Sequence, residues 1–152
     1  MADFLEGKAV RTLNKGLVVR RAAATLPQTA TGTLFNVVGG RVAITQILGE
    51  VTTAIQNQAN NTRLVATPTG GAASNLCANL DIADDAVGTM YGITGTPANG
   101  MVDDLGVMPG QATPAIVKVG AIGLVCAASN TGEVAWTVTY VPIDDGAYVE
   151  AV

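Results

Sequence analysis

The stretch Gly120 to Pro142, GAIGLVCAASNTGEVAWTVTYVP, reads as two β-strands joined by the polar turn Ser129-Asn130-Thr131-Gly132. On the second arm Val134, Trp136, Val138 and Tyr140 fall on one face, and Ala135, Thr137, Thr139 and Val141 fall on the other. That is the period of two a pleated strand imposes. Trp136 is the only tryptophan in the chain. Asn130 and Gly132 accept positive φ, so a short hairpin loop is the expected connection between the arms.

Working outward, the same signals recur. Leu17-Val18-Val19 opens a strand that Pro27 stops or marks as an edge. Gln28 to Thr33 is a loop by composition, and Leu34 to Val38 is a strand closed by Gly39-Gly40, a dipeptide suited to a tight hairpin. Arg41 to Ile55, RVAITQILGEVTTAI, is the longest apolar run. Its β-branched residues favour one long strand over a helix, with a bend or bulge near Gly49 that can keep Glu50 out of the core. Thr62 to Thr67 follows as a strand, with Leu64 and Ala66 sharing a face. Asn75 to Ile82 alternates, with Leu76, Ala78, Leu80 and Ile82 inward and Cys77, Asn79 and Asp81 outward. Thr89 to Thr94 and Ala115 to Val119 supply further strands, and the tail after Asp144 is a last edge strand or an extension onto a neighbour. Eight to ten short strands with turn signals between them predict an all-β, single-domain antiparallel sandwich or barrel. It spans residues 16–152 and is preceded by an arm over 1–15, for which a short helix, a frayed end and a segment docked on a neighbour are all compatible readings.

Composition bounds the function. Of 152 residues 49% are apolar, only 13% are charged and only 4% are aromatic, against roughly 25% charged in an average soluble domain. With a formal charge of only −4, a lone monomer with this surface is prone to self-association, so a surface covered by copies of itself or by a larger partner is the preferred reading. Acidic balance, with Arg20-Arg21 the only adjacent cations, argues against a nucleic-acid partner. No run of 18 apolar residues predicts a membrane-spanning helix. Asp3 and Glu6 stand where a secretory signal needs a basic start, so synthesis in the cytoplasm is expected.

Candidate chemistry is sparse. Histidine is absent, which removes Ser-His and Cys-His catalysis and the commonest zinc ligand. Cys77 and Cys126 read as small buried thiols, with a disulfide between them as the alternative. Asp84-Asp85, Asp103-Asp104 and Asp144-Asp145 lie on loops, where calcium binding competes with simple turn chemistry; no D-x-D-x-D-G spacing supports the former. No catalytic residue, metal site or cofactor is expected. The stretch Thr96 to Thr113 has no period, yet its Met101, Val102, Leu105, Val107 and Met108 are too apolar for a free linker. The candidate interface residues are therefore Phe4, Leu5, Val10 and Leu13 on the arm, Met101, Leu105 and Met108 on this loop, and Tyr148 on the tail.

Three blocks together carry a resemblance: GRVAITQILGEVTTAIQ at Gly40 to Gln56, LCANLDIADDAVGTMYGITG at Leu76 to Gly95, and TGEVAWTVTYVPIDDGAYV at Thr131 to Val149. The chain from about Gly32 to Val149 resembles small structural proteins of tailed bacteriophages, the capsid decoration or cement proteins. The resemblance implies a β-rich homo-oligomer, with a trimer favoured, that binds the major capsid protein on the outside of the shell and bridges its subunits. A tail or head-fibre component is the alternative of the same kind. A carbohydrate-binding sandwich that stacks sugars on Trp136, Tyr140 or Tyr91 is the alternative of another class.

Overall fold

The computed structural model describes residues 7–152, apart from the side chains of Lys8, Arg11 and Leu13. A nine-residue helix, α1 (Gly7–Lys15), precedes twelve strands. These are β1 (Leu17–Thr25), β2 (Thr31–Val38), β3 (Val42–Thr53), β4 (Asn61–Pro68), β5 (Ser74–Asn75), β6 (Leu80–Asp81), β7 (Met90–Gly92), β8 (Val102–Asp104), β9 (Ala115–Val117), β10 (Gly120–Cys126), β11 (Glu133–Pro142) and β12 (Tyr148–Ala151). They form two antiparallel sheets packed face to face, an all-β sandwich and not a closed barrel. One sheet has the order β1-β11-β3-β7-β8, with β9 also on β3; the other has the order β12-β2-β10-β4-β5, with β6 also on β4.

The sandwich corrects the expected hairpins. β10 pairs β2 and β4, whereas β11 pairs β1 and β3, so the two arms of Gly120 to Pro142 lie in opposite sheets. Their connection is held by other loops: Leu26 N–H donates to the Gly132 carbonyl at 3.2 Å, and the buried Asn130 donates through Nδ2 to the Gln58 carbonyl at 3.0 Å. Ala128 N–H donates to Asn60 Oδ1 at 3.1 Å. Gly39-Gly40 likewise carries the chain from one sheet to the other rather than closing a hairpin. Alternation fixes which face of a strand is buried, and it does so equally well whether two strands pair side by side or face each other across the core.

The buried faces themselves are as expected. Val134, Trp136, Val138 and Tyr140 line the core from β11, opposite Phe35, Val37, Ile122 and Leu124. In β3 the buried positions are Val42 and Ile44, then Ile47, Gly49 and Val51. The change of parity follows from an extra residue at Thr45, where the register steps from Gln46 to Ile44 against Thr139 and Tyr140. A second extra residue lies at Thr52, where the register steps from Thr53 to Val51 against Glu133 and Val134, so the irregularities flank Gly49 rather than fall on it. Gly49 sits opposite Trp136 on one side and Tyr91 on the other, and a Cβ there would lie 2.8 Å from the Trp136 ring. The missing side chain lets the two rings meet across β3, with centroids 6.3 Å apart and 26° between planes.

Asn75 to Ile82 is not one strand but the two short elements β5 and β6. Cys77, expected outside, is buried and accepts the Leu64 N–H on Sγ at 3.3 Å. Both cysteines are free, so no disulfide joins them.

Candidate functional site

Antiparallel strands with one face on a core normally turn polar side chains to solvent on the other. The outer face of the β11–β3 sheet departs from this. Val141 of β11 pairs Ala43 of β3, which pairs Ile116 of β9, giving an apolar row across three strands. The neighbouring row begins with Val18 of the edge strand β1 opposite Thr139. Val18, Val141 and Ile116 are 48%, 43% and 60% exposed. Arg20, opposite Thr137, is the cation nearest to this row on β1.

Full burial of a Val or Ile contributes about 1.5–3 kcal/mol, and roughly half of that remains to be gained at each of these positions. Three such residues offer about 3 kcal/mol, less than the association cost of about 4–15 kcal/mol. The row can therefore seed an interface but must be part of a wider one, on the order of 800 Å² per partner.

A second apolar feature is the tip after β8. Leu105 is 65% and Val107 73% exposed, the most exposed large apolar side chains among the described residues. The tip is held in shape by Asp104, whose Oδ1 accepts the Gly106 and Val107 N–H groups at 2.7 and 2.9 Å. Those backbone donors keep its carboxyl below the usual carboxylate range. Behind the tip Met108 is half-buried, with Sδ over Gly92 on the outer face of β7; a Cβ on Gly92 would come within 2.8 Å of it. The stretch Thr96 to Thr113 is thus anchored at both ends, and β8 pairs β7 within it.

The other candidates divide. Phe4 and Leu5 lie outside the described residues, and Leu13 is described only as part of the α1 backbone. Val10 is exposed on α1, and Tyr148 is 45% exposed on β12. Met101 is a correction: it is 3% exposed and belongs to the core, because the bridge between Ala78 and Gly100 draws the chain inward just before it. Val18, Val107, Ile116 and Val141 were not among the expected interface residues. For Val141 the signal was present, an apolar residue in the polar register of the Ala135-Thr137-Thr139 face.

The acidic pairs are engaged locally. Asp144 accepts the Arg41 backbone N–H at 2.7 Å and both Nε and Nη2 of its guanidinium, at 2.9 and 2.7 Å. The Arg41 hydrogen bonds lower its carboxyl to about 2. Asp85 accepts the Tyr91 hydroxyl, and burial raises both groups above their ordinary values. Among the described residues no three His, Cys, Asp or Glu side chains are grouped to hold a metal ion. Trp136, Tyr140 and Tyr91 are 2%, 4% and 1% exposed, so none of them offers a stacking surface to a sugar.

Comparison with protein-family models, curated proteins and solved structures finds no match to this chain.

Proposed function

We propose that this chain is a virion structural protein that binds the outside of a phage capsid as a homo-oligomer, with a trimer favoured, and stabilises the shell by bridging capsid subunits. The observation that carries the reading is the exposed apolar row Val141–Ala43–Ile116 beside Val18, on a sheet face that an isolated sandwich would keep polar. The sparse charge of the whole surface and the resemblance of three sequence blocks to decoration proteins point the same way. The mechanism is mechanical. A protein that binds the assembled shell and not its free subunits shifts assembly by mass action, in proportion to the logarithm of its free concentration over its dissociation constant. The Leu105–Val107 tip offers a second contact on the same chain, which bridging requires.

Sedimentation velocity on the purified protein, followed by co-sedimentation with expanded capsids of its phage, tests the reading. The expected result is a discrete oligomer that pellets with capsids, and an Ile116→Asp, Val141→Asp double variant that stays folded but sediments as a monomer. A wild-type protein that is monomeric at high concentration and stays in the supernatant would refute it.

A further inference from the structure

The outer face of the other sheet carries a different kind of surface. A shallow, open groove on it, roughly 440 Å³, matches small-ligand sites in volume, about 300–1,000 Å³, but leaves one side of any occupant in solvent. Its origin is in the sequence of β10, the central strand: Ala121, the residue β10 turns outward here, is short, so the longer residues of the flanking strands stand up as walls. One register row crosses four adjacent strands, from Glu150 on β12 through Asn36 on β2 and Ala121 on β10 to Thr67 on β4. Thr69 and Val38 continue the walls, and Val38 is paired with Tyr148. Tyr148 and Glu150 alternate with the buried Val149 and so share the outward face, roughly 7 Å apart along the strand.

Three features of this row select a ligand. First, the side chains of Asn36, Thr67, Thr69 and Glu150 have no hydrogen-bond or ion-pair partner among the described residues, so an amide, two hydroxyls and a carboxylate stand ready together. Second, the lining includes one carboxylate and no cation, which disfavours an anionic ligand. Third, β2, β10 and β4 spend their main-chain groups on the ladders within the sheet, so an extended peptide could pair only along the outer edge of β12 and not across the groove. A neutral ligand rich in hydroxyls with an apolar flank fits all three. We infer that this groove binds a neutral oligosaccharide: Glu150 accepts from adjacent hydroxyls, Asn36 donates and accepts beside it, and the Tyr148 ring covers the C–H face of a sugar. The site is independent of the assembly face, since it lies on the outer side of the opposite sheet.

The test uses the full chain on a printed array of neutral oligosaccharides built from glucose, galactose, mannose and N-acetylglucosamine, then titration of the free trisaccharide giving the strongest signal. The inference expects wild-type binding, a loss of about tenfold or more in Tyr148→Ala and in Glu150→Gln, and retention in Tyr148→Phe and in Ile116→Asp. Ala121→Phe, which fills the floor, should abolish binding; thermal melts identify any variant that fails to fold, and Glu150→Gln changes shape least. Absence of binding across the array, or binding that persists in both Glu150→Gln and Ala121→Phe, would overturn the site. Sedimentation of the same samples keeps this outcome separate from the assembly reading.

Discussion

Gly49→Ala isolates the contact on which the centre of the β11–β3–β7 sheet depends. The ideal Cβ at this position lies 2.8 Å from two atoms of the Trp136 ring and 3.1 Å from a third. Trp136 is 2% exposed and stacked on Tyr91, so its ring cannot yield without disturbing a second buried aromatic. Overpacking of this kind costs about 1–3 kcal/mol. Replacing glycine in a strand returns about 0.5–1 kcal/mol of chain entropy, leaving a net loss of about 1–2 kcal/mol. At about 2–4 °C per kcal/mol for a domain of this size, the melting temperature should fall by about 2–8 °C. The assay is thermal unfolding followed by circular dichroism and by Trp136 emission, which should shift red as the ring is displaced. In a Trp136→Phe background the smaller ring leaves room, so Gly49→Ala should there be neutral or slightly stabilising, a coupling that a double-mutant cycle measures. An equal cost in both backgrounds, or a gain in the wild type, would refute the reasoning.

Asp144→Asn should lower the melting temperature at pH 7. The folded carboxyl lies near 2 against about 3.9 unfolded, so its contribution is present above the unfolded value and lost as pH falls; the gap between the two melting curves should therefore close between about pH 4 and pH 2. Tyr91→Phe removes a hydroxyl bonded to the Asp85 carboxylate and should cost about 1–2 kcal/mol at pH 7 by urea unfolding. Because burial raises the Asp85 carboxyl and the Tyr91 O–H opposes that shift, stability tied to this residue is lost as pH rises, and the variant should lose it more steeply; a penalty that stays constant down to pH 3 would contradict the assignment. Burial raises the thiols of Cys77 and Cys126, so dithionitrobenzoate should leave both unmodified in the native protein and titrate both once guanidinium unfolds it.

Much of the fold was legible because a strand with one buried face declares itself by alternation. Val134, Trp136, Val138 and Tyr140 are all in the core, as the period of two requires. What alternation cannot carry is long-range. The glycine in the middle of β3 looked like a site for a bulge, whereas its reason is a ring on β11, some ninety positions away in the chain. Asn75 to Ile82 alternates well enough to pass for a strand, but nothing local tells that Cys77 is drawn in to accept the Leu64 N–H. On the surface, Met101 and Leu105 are chemically alike and four residues apart. One is core and the other fully projecting, because the bridge at Gly100 is made to a segment distant in sequence.

The polar turn between β10 and β11 shows the same limit from the other side. Ser129-Asn130-Thr131-Gly132 has the composition of a hairpin loop, yet a hairpin would place Ile122, Leu124 and Cys126 in the same sheet as Val134, Trp136 and Val138. Both sets would then cover one side of the core and leave the other side short of a central strand. As a crossover, the stretch supplies β10 to the middle of one sheet and β11 to a position between β1 and β3 in the other. The two apolar faces of a single sequence segment then face each other across the core. That division also fixes the two outer faces: β10 leaves the short Ala121 at the floor of a groove that presents Asn36, Thr67 and Glu150, while β11 sets Val141 in the apolar row. The segment that organises the core is thus also the one that makes the molecule's two surfaces chemically unlike.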